Sequence, residues 1–258
     1  VTSDATTRTE PMAADDGNDR ENEAGELWEL ISRARVVLWD FDGPVCGLFA
    51  GHSSERVAAE LVRGLESRGP RGLLTERERE SLDPLAVLRA VGRRHPGSDL
   101  VAGLEARLTQ EEMRAASSAR PTPYADALIR AWAARGSRLA VTTNNSPLVV
   151  RKYLDSRGLA PCFDPHVYGR TRDLERLKPD PYCLNRALNA TGAAPGRALM
   201  IGDTPSDHEA ARRAGVPFLG YARNARKEKL LREAGATVVV ESLEPVLRIL
   251  SARRRQAE

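Results

Sequence analysis

The stretch Arg35-Val36-Val37-Leu38-Trp39-Asp40-Phe41-Asp42-Gly43 is an apolar run that stops abruptly at two carboxylates and a glycine. Apolarity without alternation over four or five residues predicts a strand buried on both faces, as in a parallel sheet. The pattern recurs at 138–143, 198–203, 217–221 and 237–240, and more weakly at 165–168. Amphipathic segments fill the intervals. Residues 123–135 place Leu128, Ile129 and Trp132 on one helix face, and Ser146-Pro147 reads as an N-cap with proline at the first helical position. Further helices are predicted over 181–191, 205–214, 224–234 and 244–252, the first three closed by Gly192, Gly215 and Gly235. Strand and helix in such alternation predict an α/β fold with a Rossmann-like parallel sheet and right-handed crossovers. Ligands of such sheets sit outside the carboxyl ends of the strands.

The alternation breaks between residues 47 and 122. Residues 54–67 carry apolar side chains at 57, 58, 61, 62 and 65, Asp83-Pro84 opens a helix toward Arg94, and Ser98 caps one carrying Leu100, Val101, Leu104 and Leu108. An all-helical insertion is expected there, dividing an α/β core of residues 25–46 and 123–250. Residues 1–24 hold seven acids, two arginines and little to bury, so a disordered acidic tail is expected. Residues 251–258 read as a basic tail.

The 258 residues suit one large domain with an insertion. A balance of 39 Lys+Arg against 36 Asp+Glu, net +3, argues against a nucleic-acid partner. No apolar run approaches the roughly 20 residues of a membrane span, and the first twenty residues lack an apolar signal core. Cys46, Cys162 and Cys183 are odd in number and scattered, which points to a reducing, cytoplasmic setting. Oligomeric state is not legible. Lysine occurs only at 152, 178, 227 and 229, so each one is conspicuous.

Asp40 and Asp42 share a face at a strand end, where a proton or cation must separate them. Gly202-Asp203-Thr204-Pro205-Ser206-Asp207 supplies a second acidic pair. There Thr204 reads as an N-cap with Asp207 closing a capping box, which leaves Asp203 unexplained. Thr142-Thr143-Asn144-Asn145-Ser146 clusters hydroxyls, amides and backbone N–H groups ahead of a helix, a setting suited to an anion. Lys178 precedes Pro179. Each signal alone reads as a turn, a cap or a solvated lysine. In this order they bring four carboxylates to one point, a setting for Mg²⁺, with lysine and N–H groups opposite for a phosphate. Arg170 and Arg172, upstream of Lys178, read as solvated loop arginines.

These four segments resemble the motifs of the haloacid dehalogenase superfamily of phosphohydrolases, in its phosphoglycolate phosphatase-like subgroup. Asp40-Phe41-Asp42-Gly43 looks like its first motif, Thr143 its second, Lys178-Pro179 its third and Gly202 to Asp207 its fourth; Pro44 departs from the usual Thr. The resemblance implies a Mg²⁺-dependent phosphomonoesterase acting on a small-molecule phosphate ester. Asp40 would be the nucleophile and Asp42 the acid and then base. Asp40, the Asp42 carbonyl and Asp203 would hold the ion, with Asp207 in support. Thr143, Lys178 and the Gly43 backbone would face the phosphoryl oxygens. By the same resemblance residues 47–122 are a helical cap, and Asn144, His52 and Arg56 are candidate substrate contacts. A phosphosugar mutase, or a phosphate-binding protein without turnover, are the alternatives.

Overall fold

The computed structural model describes residues 16–68 and 72–254. In chain order the elements are α1 Asp16–Arg33, β1 Val36–Trp39, β2 Cys46–Gly47, α2 Ser54–Arg68, α3 Glu76–Arg79, α4 Pro84–Arg94 and α5 Asp99–Ala116. Then come β3 Arg120–Pro121, α6 Ala125–Ala134, β4 Arg138–Thr142, α7 Pro147–Ser156, α8 Ala160–Phe163 and β5 Val167–Tyr168. The chain closes with α9 Tyr182–Thr191, β6 Ala198–Gly202, α10 Pro205–Ala214, β7 Phe218–Tyr221, α11 Ala225–Glu233, β8 Val239–Val240 and α12 Glu244–Arg254.

Six parallel strands form one sheet in the order β5-β4-β1-β6-β7-β8. This is the α/β, Rossmann-like fold the apolar runs predict. All four residues of β1 are buried, because a central parallel strand is covered on both faces. Its side chains divide by pleat: Val37 and Trp39 join one core with Trp132 and Val141, while Val36 and Leu38 join another with Leu184 and Met200. Trp39 meets Trp132 edge-on at 5.9 Å. From β1 the chain proceeds to β4 on one side, and from β6 to β7 on the other. The crevice where the winding reverses therefore lies at the carboxyl ends of β1 and β6.

Helices α2, α4 and α5 enclose a core of their own, built on Val57, Leu61, Leu88, Val91 and Leu108. Phe49 packs against both this core and that of the sheet. A two-residue antiparallel ribbon, β2 with β3, carries the chain in and out of this helical segment. It escaped the sequence reading because two residues show no periodicity.

Residues 16–24 correct the expected extent of the acidic tail, for they form the first turns of α1. Leu27 and Ile31 bury the end of that helix, and Glu23 pairs with Arg232, so the polar turns extend a helix anchored by tertiary contacts. Residues 1–15 of that predicted tail lie outside the described residues. At the other end α12 runs to Arg254, past its expected stop near 252 and into the predicted basic tail, of which residues 255–258 lie outside the described residues. No helix among the described residues is long and apolar enough to cross a membrane.

Candidate active site

Asp40 follows β1 directly, and its N–H continues the ladder to the Ile201 carbonyl at 2.9 Å. Asp203 follows β6, and Asp207 stands in the first turn of α10. One oxygen from each of these three buried carboxylates lies within 4.8 Å of the others. The sequence gathers four carboxylates at one point, but the structure gathers three. Asp42 is half-buried, and its Oδ1 accepts the Leu48 N–H at 2.8 Å, which draws it out of the cluster toward the cavity.

Lys178 is 1% exposed and answers the three acids with one cation. Its Nζ donates to Asp40 Oδ1 at 2.8 Å, Asp207 Oδ1 at 2.5 Å and the Thr142 carbonyl at 2.9 Å. Burial opposes its charge, yet Asp207 and Asp40 hold the ammonium above the usual lysine value. Burial pushes the Asp40 carboxyl up to about 6, with Asp207 adding to the rise and Lys178 opposing it. Burial likewise raises Asp42. Asp207 does what its capping box predicts and more: Oδ2 accepts from Asp203 N, Thr204 N and Thr204 Oγ1, which leaves Oδ1 for the lysine.

Lys227, on α11, pairs with Asp203 Oδ2. The sequence reading missed it inside the polar run Ala225-Arg-Lys-Glu-Lys; the rarity of lysine was the available signal. Asp203 Oδ1 remains buried with no hydrogen-bond partner. A carboxylate with an orphaned oxygen, clustered with two further buried carboxylates, fits a hard divalent cation, so this donor set suits Mg²⁺.

Gly43 takes φ +127°, and a Cβ there would lie 2.3 Å from Asp203 Oδ2. Its own N–H donates to the Cys46 carbonyl at 2.7 Å, so this N–H is not free for the phosphoryl oxygens that the Gly43 backbone region is expected to face. The position supplies closeness to Asp203. Gly43→Ala combines a strained backbone with overpacking and is expected to cost roughly 2–5 kcal/mol in urea unfolding. Wild-type stability in that variant would contradict the packing.

Thr143, Asn144, Asp40, Asp42, Lys178 and Asp207 line one cavity of about 590 Å³. Thr143 Oγ1 donates to Asn145 Oδ1, while Thr142 is turned to the Met200 sulfur. Asn144 spends its amide on Lys178: Oδ1 accepts the Lys178 N–H at 2.8 Å and Nδ2 donates to its carbonyl at 3.2 Å. Of the two candidates at the start of the helical segment, neither lines the cavity, which corrects both. His52 Nε2 is 3.1 Å from Glu111, and Arg56 sits on the exposed face of α2. Ser54 and Glu55 occupy the wall instead, with Leu85 and Arg89 from α4 and Leu108 from α5.

Arg170 is another correction, because its side chain is fully buried. Nη1 and Nη2 grip both oxygens of Glu112 at 2.9 Å, Nε donates to Glu105, Nη2 to Thr109 Oγ1 and Nη1 to the Asn144 carbonyl. Glu105, Thr109 and Glu112 lie about 60 residues upstream, on α5, so no local pattern around Arg170 pointed to them.

The chain matches the haloacid dehalogenase-like hydrolase family over residues 34–215. It is 43% identical over 105 residues to a phosphoglycolate phosphatase of Rhodospirillum rubrum, covering 39% of this chain and 43% of that one. It is 32% identical over 123 residues to the pyrophosphatase PpaX of Halalkalibacterium halodurans, 47% of this chain and 55% of that one. The chain thus spans about half the length of these curated relatives. A predicted phosphoglycolate phosphatase from Haemophilus somnus, known by crystal structure, superposes with a TM-score of 0.61 at 17% identity, over 84% of this chain and 98% of that one. That likeness establishes the fold.

Proposed function

From the premise that the chain belongs to the haloacid dehalogenase-like hydrolases, we propose that it is a Mg²⁺-dependent phosphomonoesterase acting on small phosphate esters. The observation that carries this reading is the buried trio Asp40, Asp203 and Asp207, with one Asp203 oxygen unpartnered and Lys178 against the other two acids.

Asp40 attacks phosphorus with a carboxylate oxygen, the ester oxygen leaves, and an aspartyl-phosphate forms on Asp40. Asp42 lies outside the trio but on the cavity, so it is free to protonate the departing oxygen. Its burial-raised carboxyl suits that task. The same group, now deprotonated, takes a proton from the water that cleaves the acyl phosphate. Asp40, Asp203, Asp207 and the Asp42 carbonyl would hold Mg²⁺, which when bound supplies positive charge at the phosphoryl oxygens. Lys178 adds a fixed cation beside the nucleophile, and Thr143 offers its hydroxyl from the next strand end.

The helical segment acts in this reading as a cap, excluding water and contacting the rest of the substrate. A cavity of this volume suits a small molecule. Arg89 and Arg223 line it, and neither has an ion pair among the described residues. Arg89 Nη2 donates to the Lys178 carbonyl at 2.5 Å, and two guanidinium groups without a carboxylate partner among the described residues suit a substrate with a second anionic group, as in the phosphoglycolate of the named relatives.

The test is phosphate release from an aryl phosphate and from a metabolite panel. Release should require Mg²⁺, cease in EDTA and return on adding excess Mg²⁺, with esters that carry a second anionic group ranking above those without one in kcat/KM. Undiminished turnover in EDTA would sink the reading.

A further inference from the structure

Arg170 touches neither the carboxylate trio nor, among the described residues, the cavity, yet each of its five side-chain N–H groups has an acceptor. A guanidinium with no exposed side chain is costly to bury unless fully paired, and here the partners come from two directions. Glu105, Thr109 and Glu112 stand at i, i+4 and i+7 on one face of α5. The Asn144 carbonyl belongs to the loop after β4. Glu112 grips that same loop again, accepting from Asn145 Nδ2 at 3.0 Å and Ser146 N at 3.2 Å. The Arg170 backbone N–H adds a third tie, to the Asn145 carbonyl at 2.8 Å.

What the loop carries explains why it is held. Its Asn144 side chain clips the Lys178 backbone on both sides, and Lys178 Nζ meets Asp40. Contacts therefore run without a break from α5 through Arg170 to Asn144, and from Asn144 to Lys178. We propose that Arg170, braced by Glu112, is a positioning residue that fixes the Thr143–Asn144 loop and Lys178 against the nucleophile. This inference rests on the phosphatase reading, in which Thr143 and Lys178 face the phosphoryl group.

The experiment is a double-variant cycle of Arg170→Lys and Asn144→Ala, read in two ways: aryl phosphate hydrolysis, and affinity for orthovanadate, an oxyanion able to take the five-coordinate geometry of phosphoryl transfer. Arg170→Lys keeps the charge but offers three donors in place of five. Its kcat should fall at least about tenfold with KM changed under about threefold, vanadate affinity falling in step with kcat. Because both residues act through one chain of contacts, the double variant should be no worse than about twofold beyond the weaker single variant. Multiplied losses, or a lowered melting temperature with wild-type kcat and vanadate affinity, would overturn the positioning role. Should Arg170→Lys fail to fold, Glu112→Gln replaces it in the same cycle with the same expected outcome. A wild-type protein that binds vanadate but releases no phosphate defeats the phosphatase reading alone, and the cycle is then judged on vanadate. Wild-type protein that binds no vanadate defeats both.

Discussion

Asp40→Asn is expected to lower kcat by at least about four orders of magnitude while leaving the fold intact. The amide keeps the shape of the carboxylate and still accepts from Lys178, but it has no charge with which to attack phosphorus. Stability should move the other way. In the folded protein burial and Asp207 push the Asp40 carboxyl from 3.8 up to about 6, so the folded state binds this proton more tightly than the unfolded chain. Stability from this group is therefore complete below pH 4 and is lost as pH rises from 4 to 6. A rise of that size corresponds to roughly 3 kcal/mol, and the asparagine variant escapes it. In EDTA at pH 7.5 Asp40→Asn should be the more stable protein by urea unfolding, with the advantage vanishing near pH 3.5. A variant that is less stable at both pH values, or one that retains more than about 1% of wild-type turnover, would contradict the roles given to Asp40.

The sheet was legible because its signal is coarse. Five apolar runs, each followed by a helical period, specify a parallel α/β sheet, and the residue after each run falls at the ligand edge without further information. Asp40, Thr143 and Asp203 were found in this way, and Lys178 by its rarity. The misses concern side-chain direction and long-range pairing. Period-2 geometry puts Asp42 on the face of Asp40, but a local hydrogen bond to the Leu48 N–H decides where its carboxylate points. Nothing around Arg170 marks it as buried, since a loop arginine is ordinarily solvated. The legible trace was on the other partner. Glu105, Thr109 and Glu112 form a polar stripe beside the apolar face of α5, and such a stripe implies a cation from elsewhere in the chain. His52 and Arg56 were chosen by proximity in sequence to the first motif. The helical phase of α2 then carried Arg56 outward, and Glu111 took His52.

Lys178→Met tests whether the lysine that serves the chemistry also holds the site together. Methionine roughly preserves volume and removes the charge, leaving Asp40 and Asp207 facing each other in a buried site where Lys178 Nζ had bridged them at 2.8 and 2.5 Å. Breaking a buried ion pair by deleting one partner costs about 3–5 kcal/mol, because the remaining charge keeps its desolvation penalty. In EDTA the variant should be destabilised by about that amount. Divalent cation offers the two carboxylates another partner, so adding Mg²⁺ should recover more stability in Lys178→Met than it adds to the wild type. Turnover should still fall by about 10³-fold in saturating Mg²⁺, because the ion cannot also replace a fixed cation beside the phosphoryl oxygens. The two readouts separate the two duties. Equal stability of variant and wild type in EDTA would show that the carboxylates do not depend on the lysine, whereas full turnover with Mg²⁺ would show that the reaction does not.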